Sequence, residues 1–389
     1  MLRSTLHLPD HADWHDLPHH SPGLALSLRR AYGLVKSGST EPESYYLALA
    51  EVLPHLGRAM SDRQHLHLQY IVALAYTGLD EADSALDCLG KALDLAGRVG
   101  DRAVEVDLLY LTGALHSGLL DLAAALDAYS QALHALRALS SSHESAEPHD
   151  EIDLLIRIAS AEYHRELFTS ATQHLGEARR IASHTSTTSP AEHGLISWVS
   201  ALILGSQGHL PEALREAIQA IAFYAQDDDQ ANPYARTQIV AANIALDLIE
   251  TAPHATATIS SPASLLTLSD VYTRYALDLA HKTADSSAEG MGRLVRARFW
   301  QARDGRAGRA VATIEGVAER ARANHDVALL AQAYAALGEA KARRGEMDEA
   351  RNLHRRAADI FLEHDLYAMS RPSLAVLGSD HNGGAGWWR

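Results

Sequence analysis

A chain of 389 residues, 47% of them hydrophobic, can bury a continuous core, either as two or three domains or as one long repeat array. Its net charge of −15 argues against a general affinity for nucleic acid or for anionic membrane. The single cysteine, Cys88, excludes an intramolecular disulfide framework and suits the cytoplasm; between Leu86 and Leu89 it reads as a small core residue.

Residues 1–21 (MLRSTLHLPDHADWHDLPHHS) form an irregular His-rich leader with no apolar signal core. Pro9, Pro18 and Pro22 block any long helix. His7, His11, His15 and His19 recur every fourth residue, interleaved with Asp10, Asp13 and Asp16. On a continuous helix they would make a metal-binding edge, but the prolines break it and no His-Glu-x-x-His pattern occurs. No metal and no other cofactor is therefore expected. Residues 22–65 are predicted to be an N-terminal helical cap, with helices near 23–36 and 43–60 separated by the breaker run Ser37–Pro42.

From residue 66 a pattern repeats, with units starting at 66, 106, 152, 194, 291 and 331. Small residues recur at matching offsets, such as Ala73, Ala85 and Ala92 in the first unit and Gly113, Ala125 and Ala132 in the second. Between 234 and 284 lies an irregular pair, a helix near Tyr234–Glu250 and another near Leu265–Lys282, joined by TAPHATATISSPAS. The spacing demands either long helices or long connectors. Polar runs at 139–150, 183–192 and 227–233 are candidates for the latter. The longest apolar run, near Leu195–Leu204, is too short to span a bilayer.

The clearest unit is 331–364, AQAYAALGEAKARRGEMDEARNLHRRAADIFLEH. Tyr334, Leu337 and Lys341 mark one helix, Gly345-Glu346-Met347 the turn, and Ala350, His354 and Ala357 one face of a second helix. Gly338, Ala350 and Ala357 allow two backbones to approach closely, and Gly345 can take the left-handed conformation that closes the first helix. This spacing resembles the tetratricopeptide repeat (TPR), a helix–turn–helix unit of about 34 residues. The resemblance implies an all-α fold, a right-handed TPR superhelix (α-solenoid) of about seven helical hairpins plus an N-terminal capping hairpin. The array would occupy 66–366, followed by a disordered C-terminal tail over 367–389.

The long Ala/Leu-rich units look like the sensor regions of bacterial peptide-pheromone regulators and of MalT-type activators. In those families the array binds a short peptide or partner on its concave face. Carried onto this sequence, the resemblance puts the first helix of each hairpin on that face. The inward residues include Tyr70, Tyr110, Arg157, Tyr163, Trp198, Arg236, Asn243, Arg296, Phe299 and Arg303, with Asp153 and Asp247 beside them. Aromatics supply contact area, Asn pairs with an extended backbone and Arg clamps a carboxylate. Asn243 stands out, since inward Asn residues hold peptide backbone in those regulators. Two alternatives stay open: the aromatics are inter-repeat core, and the arginines pair with Asp153, Asp247 or Asp304 and leave no net field.

Residues 291–356 carry fourteen Arg and Lys against eight Asp and Glu, a basic segment in an acidic chain. No GxxxxGK[ST], no GxGxxG after a strand and no Gly-x-Ser-x-Gly elbow occurs. A helix-turn-helix DNA-binding domain, common in such regulators, has no counterpart in 1–65. The reading is a non-enzymatic bacterial sensor or adaptor whose partner is a peptide or protein segment. It makes no direct contact with nucleic acid or membrane, and a homodimer is compatible with it. The alternatives are a structural scaffold for a folded partner and a TPR-based phosphatase- or hydrolase-type effector.

Overall fold

The computed structural model describes residues 22–36, 42–58, 60–141, 148–185, 187–226, 230–251, 261–304 and 307–378, and no strand occurs among them. The His-rich leader and residues 379–389 lie outside the described residues. The helices are α1 (Pro22–Lys36), α2 (Pro42–Val52), α3 (Asp62–Gly78), α4 (Ala82–Val99), α5 (Arg102–Gly118) and α6 (Leu122–Ser141). Then come α7 (Pro148–His164), α8 (Phe168–His184), α9 (Pro190–Ser206), α10 (Leu210–Tyr224), α11 (Ala231–Thr251) and α12 (Pro262–Lys282). The last are α13 (Ser286–Asp304), α14 (Ala307–Ala323), α15 (Val327–Arg343), α16 (Met347–Glu363) and α17 (Tyr367–Gly378). The pairs α3–α4, α5–α6, α9–α10, α11–α12, α13–α14 and α15–α16 pack as hairpins, preceded by the hairpin α1–α2. The fold is the all-α TPR solenoid that the repeat spacing implied.

Long helices, rather than long connectors, account for most of the unit spacing. The first helices α3, α5, α7, α9 and α15 each run 17 residues. Each starts about a turn before the repeat boundary read from the sequence, and at α3, α5, α9 and α15 polar caps there satisfy free N–H groups. Ser61 with Gln64 and Ser189 with Glu192 form capping boxes, and Asp101 and Asp326 accept from Val104 and Leu329.

The turns between helices are short and share one hydrogen bond, from the N–H five residues beyond a carbonyl. It joins Glu81 to Tyr76, Asp121 to His116, Leu167 to Glu162, His209 to Leu204 and Glu346 to Lys341, at 2.9–3.0 Å. This closure needs one left-handed residue. Gly208 and Gly345 supply it at φ 81°, and Asp80, Leu120 and Glu166 adopt it at φ 60–62° without being glycine. Sequence inspection for glycine finds only part of this set.

The chain divides into two compact units, Met1–Ala161 and Glu162–Arg389, with the boundary inside α7. In the first, one core runs from α1 through α5, from Leu24, Leu28 and Tyr45 to Leu108, Leu111 and Leu115. The cap is thus continuous with the repeats it precedes. Its second helix stops at Val52, short of the 43–60 span expected, because Pro54 follows within a single 3-10 turn at Leu53–His55. Cys88 is buried in this core, and burial pushes its thiol pKa up.

In the second unit the irregular pair α11–α12 is fully integrated. Ala241, Ile244, Ala245, Leu248 and Leu265 pack with Ala213, Leu214 and Ala217 on one side, while Ala235, Ala242, Leu246, Ala276 and Ala280 pack with Val295 and Phe299 on the other. Residues 252–260 of the connecting loop lie outside the described residues.

The tail expected from residue 367 begins instead with α17. Leu366 and Ala368 are buried, and the imidazole Nδ1 of buried His354 lies 3.2 Å from the Ser373 hydroxyl. Small buried residues at 368, 370 and 373 place a short helix against α16 despite Pro372. These residues are small, two of them are serines, and they stand two and three apart, so they leave no apolar helical period in the sequence.

Candidate functional site

In the second unit, the first helices of three successive hairpins bring their polar faces together. On α11, Asn243, Asp247 and Glu250 stand at helical spacing and share one side. Arg298 reaches this side from α13, and Glu339 and Arg343, one turn apart, reach it from α15. The Arg298 side chain is only 13% exposed. It donates to Asn243 Oδ1 at 2.9 Å, lies 2.7 Å from Asp247 Oδ1 and donates to Glu250 Oε2 at 2.6 Å. Arg343 donates to the other Glu250 oxygen at 3.0 Å.

The electrostatics follow from that geometry. Burial pushes the carboxyl pKa of Asp247 up, and Arg298 opposes the shift. Burial likewise raises Glu339, which feels Arg298 but has no ion-pair partner within 4.0 Å among the described residues. Glu250 is also desolvated, yet its contacts with Arg298 and Arg343 hold it below its usual range. Arg298 of α13 and Arg343 of α15 therefore tie two helices to one carboxylate of α11. Asn243 keeps a partly uncommitted end: its Nδ2 lies 3.5 Å from Asp247 Oδ2, at the outer limit of a hydrogen bond.

The residues expected on the binding face divide into three groups. Tyr70, Tyr163 and Phe299 are 4%, 8% and 3% exposed and are core, so the packing alternative holds for them. Tyr163 lies against Phe168, its ring centroid 6.4 Å away, and its hydroxyl is 3.4 Å from Ser206 Oγ. Three of the arginines are already paired. Arg157 donates to Asp153 at 2.7 Å, Arg236 forms a fork with Asp285 at 3.0–3.2 Å, and Arg296 pairs with Asp270. They are not free carboxylate clamps, because each sits within reach of an acid that burial would otherwise leave uncompensated.

Tyr110, Trp198 and Asn243 remain half-buried. Tyr110 lies under Arg157, whose guanidinium carbon is 4.9 Å from the ring centroid, and meets Tyr129 edge-on at 6.0 Å. Trp198 has its indole N–H buried without a hydrogen-bond partner. Arg303 is exposed beside Phe299, its guanidinium carbon 5.9 Å from the ring centroid.

Only Asn243 and the flanking Asp247 were marked by sequence inspection within the three-helix cluster. Arg298, Glu250, Glu339 and Arg343 were missed, since a charged residue on a repeat helix looks the same whether it faces water or a neighbouring hairpin. The signal that could have found them is the i, i+4, i+7 run of Asn243, Asp247 and Glu250 on one helix side.

Arg236 illustrates how a residue suited to a ligand can serve the fold. Asp285, its partner, also accepts the Ala288 N–H at the start of α13. Arg236→Ala should therefore lower stability by about 1–3 kcal/mol, through the loss of charged hydrogen bonds. Thermal denaturation checks this; an unchanged melting temperature would return Arg236 to the list of ligand contacts.

Among the described residues no group of three His, Cys, Asp or Glu could hold a metal ion, and no helix is long and apolar enough to cross a membrane. No protein-family model and no curated protein matches the chain. Solved structures do. The apo form of the quorum sensor NprR from B. thuringiensis aligns with 15% identity over 87% of each chain, with a TM-score of 0.65. Aspartyl phosphate phosphatase F from Bacillus subtilis aligns with 13% identity over 89% of this chain and 85% of that one, with a TM-score of 0.62. NprR in complex with its cognate peptide NprX aligns with 17% identity over 76% of this chain and 79% of that one, with a TM-score of 0.53. In fold, this chain is a tetratricopeptide-repeat protein similar to NprR and to aspartyl phosphate phosphatase F.

Proposed function

We propose that this chain is a non-enzymatic regulatory sensor or adaptor that binds a peptide or extended protein segment along the inner face of its second unit. The observation that carries the reading is Asn243. Its carboxamide is oriented by Arg298 on one side, and its amide donor is left largely free at the junction of α11, α13 and α15. A carboxamide held in this way can donate to a backbone carbonyl of any sequence, which suits recognition of an extended chain. NprR, similar in fold, binds a peptide.

The chemistry of the expected ligand differs from that of a carboxylate held by arginines. Arg157, Arg236 and Arg296 are paired with acids, and Arg298 is shared between Asp247 and Glu250. Asn243 and the Glu339 carboxyl are the groups in the cluster left to meet a ligand. The ligand is therefore held chiefly through its backbone, with an N–H or cationic group opposite Glu339.

The test is to pass the peptide fraction of a native cell extract over the immobilised chain and identify what is retained by mass spectrometry. The retained peptide is then titrated into the parent protein and into Asn243→Asp. That variant keeps an oxygen for Arg298 and removes the donor, so affinity should fall roughly tenfold, the worth of one well-placed hydrogen bond. Equal affinity for both proteins, or retention of no peptide, would sink the reading. The likeness to aspartyl phosphate phosphatase F supports a second reading, an effector acting on a phosphorylated partner. It predicts release of phosphate from such a partner, where the sensor reading predicts none.

A further inference from the structure

The opposite side of α15 carries an arrangement that the peptide reading does not use. Tyr334 is 5% exposed, and its hydroxyl accepts hydrogen bonds from two guanidinium groups, Arg322 of α14 at 2.8 Å and Arg356 of α16 at 2.5 Å. Arg356 also stacks on the Tyr334 ring, its guanidinium carbon 4.1 Å from the centroid. Tyr334 and Arg343 project from opposite sides of α15, so this pair is separate from the three-helix cluster.

Two guanidinium groups converge on one hydroxyl oxygen, their donor nitrogens 2.8 and 2.5 Å from it, and like charges brought together repel unless an anion offsets them. Three half-buried arginines of this unit are offset by acids: Arg236 by Asp285, Arg296 by Asp270, and Arg298 by Asp247 and Glu250. Arg322 and Arg356 form no ion pair within 4.0 Å among the described residues. Both are exposed, and each donates to Tyr334 through one nitrogen, which leaves further N–H donors on each fork.

We propose that Arg322, Arg356 and the Tyr334 hydroxyl form a binding site for a dianionic phosphoryl group. Two planar guanidinium forks match the several oxygens of a phosphate, and two positive charges match its two negative ones. Tyr334 acts as the positioning residue. Its buried ring sets the plane of Arg356, and its oxygen ties both forks to one point, which limits the side-chain entropy lost on binding. The basic excess of residues 291–356 in an otherwise acidic chain adds a local attraction for the anion. A small phosphate ester and a phosphorylated side chain bring the same group.

The test is calorimetric titration of the full chain with inorganic phosphate, phenyl phosphate and acetate at constant ionic strength. Saturable binding of the phosphates is expected, with acetate much weaker. Arg322→Gln and Arg356→Gln should each weaken it roughly tenfold or more, as expected for loss of a charged hydrogen bond. Tyr334→Phe keeps the ring and unties both forks, and should also weaken binding. Arg355→Gln removes a neighbouring exposed arginine outside the site and should change little.

Affinity should fall from pH 7.5 to pH 5.5, as phosphate takes up its second proton near pH 6. Tighter binding of phenyl phosphate than of inorganic phosphate would point to an ester as the natural source, and equal binding to the free anion. Absence of saturable phosphate binding overturns the proposal. So does an equal loss in Arg355→Gln and Arg322→Gln, because diffuse attraction would then hold an adventitious ion only. Circular dichroism of each variant separates lost binding from lost folding. None of these residues lies in the Asn243 cluster, so either proposal can fail alone.

Discussion

Arg298→Met should lower the stability of the second unit by about 3–5 kcal/mol at neutral pH, the cost of removing one partner from a buried ionic group. In a unit of this size that corresponds to roughly 6–20 °C in melting temperature. The substitution fills similar space, so the loss comes from charge. Asp247 and Glu250 would lose the guanidinium that contacts both, and Glu339 would lose the cation it senses.

The pH dependence tests the cause. Burial raises the folded-state pKa of Asp247 and Glu339, so each opposes folding at neutral pH and stops opposing it as pH falls through that raised value. Without Arg298 both should rise further, and the deficit of the variant should shrink between pH 7 and pH 5. Glu250 has the opposite sign, because Arg298 and Arg343 depress its pKa despite burial. Its stabilising contribution in the parent is lost as pH falls through that depressed value, which narrows the gap further in acid. Melting curves at the two pH values decide the matter. Equal stabilities at pH 7, or a gap that widens in acid, would mean that Arg298 does not hold the cluster electrostatically.

Gly113→Leu, at a repeat's small-residue position, should cost about 1–3 kcal/mol or more by overpacking. A Cβ at Gly113 would lie 2.6 Å from Cδ1 of Tyr129, closer than two carbons can come. The Tyr129 ring is fully buried and has Tyr110 edge-on beside it, so it has little room to retreat. Gly90, on an exposed side of α4 in the same unit, would have nothing within 4 Å of an added Cβ. Gly90→Ala should stabilise by up to about 1 kcal/mol, since alanine favours helix over glycine. Opposite signs in denaturant titrations confirm the repeat register; destabilisation of equal size at both positions would contradict it. In the second unit Gly338 stands in the same relation to His354, whose ring would lie 2.8 Å from an added Cβ.

These two variants also separate what was legible in the sequence from what was not. Gly113, Ala125 and Ala132 recur at fixed offsets because close helix approach excludes larger side chains, and that local demand is visible in any one unit. The same holds for Ala350 and Ala357, both buried as their spacing implied. The opening of α17 escaped notice because its buried residues include Ser370 and Ser373 rather than an apolar stripe, and Ser373 meets His354 nineteen residues earlier in the chain.

The binding face was harder to read. Aromatic residues at inward positions proved to be core at Tyr70, Tyr163 and Phe299 but half-buried at Tyr110 and Trp198. Helical spacing assigns a side to each residue without saying whether that side meets solvent or the next hairpin.

By itself, then, the sequence determined the helical class, the hairpin repeat and the small-residue register. Each depends on contacts within one repeat or between adjacent ones, and so leaves a periodic trace. Tertiary structure alone decided which charges meet. Arg298 finds Glu250 forty-eight residues away, Arg343 finds it ninety-three residues away, and Arg322 and Arg356 meet on Tyr334 from separate helices. Charge pairing depends on distances of a few ångströms and on shelter from water, and neither is encoded in the spacing of a single helix.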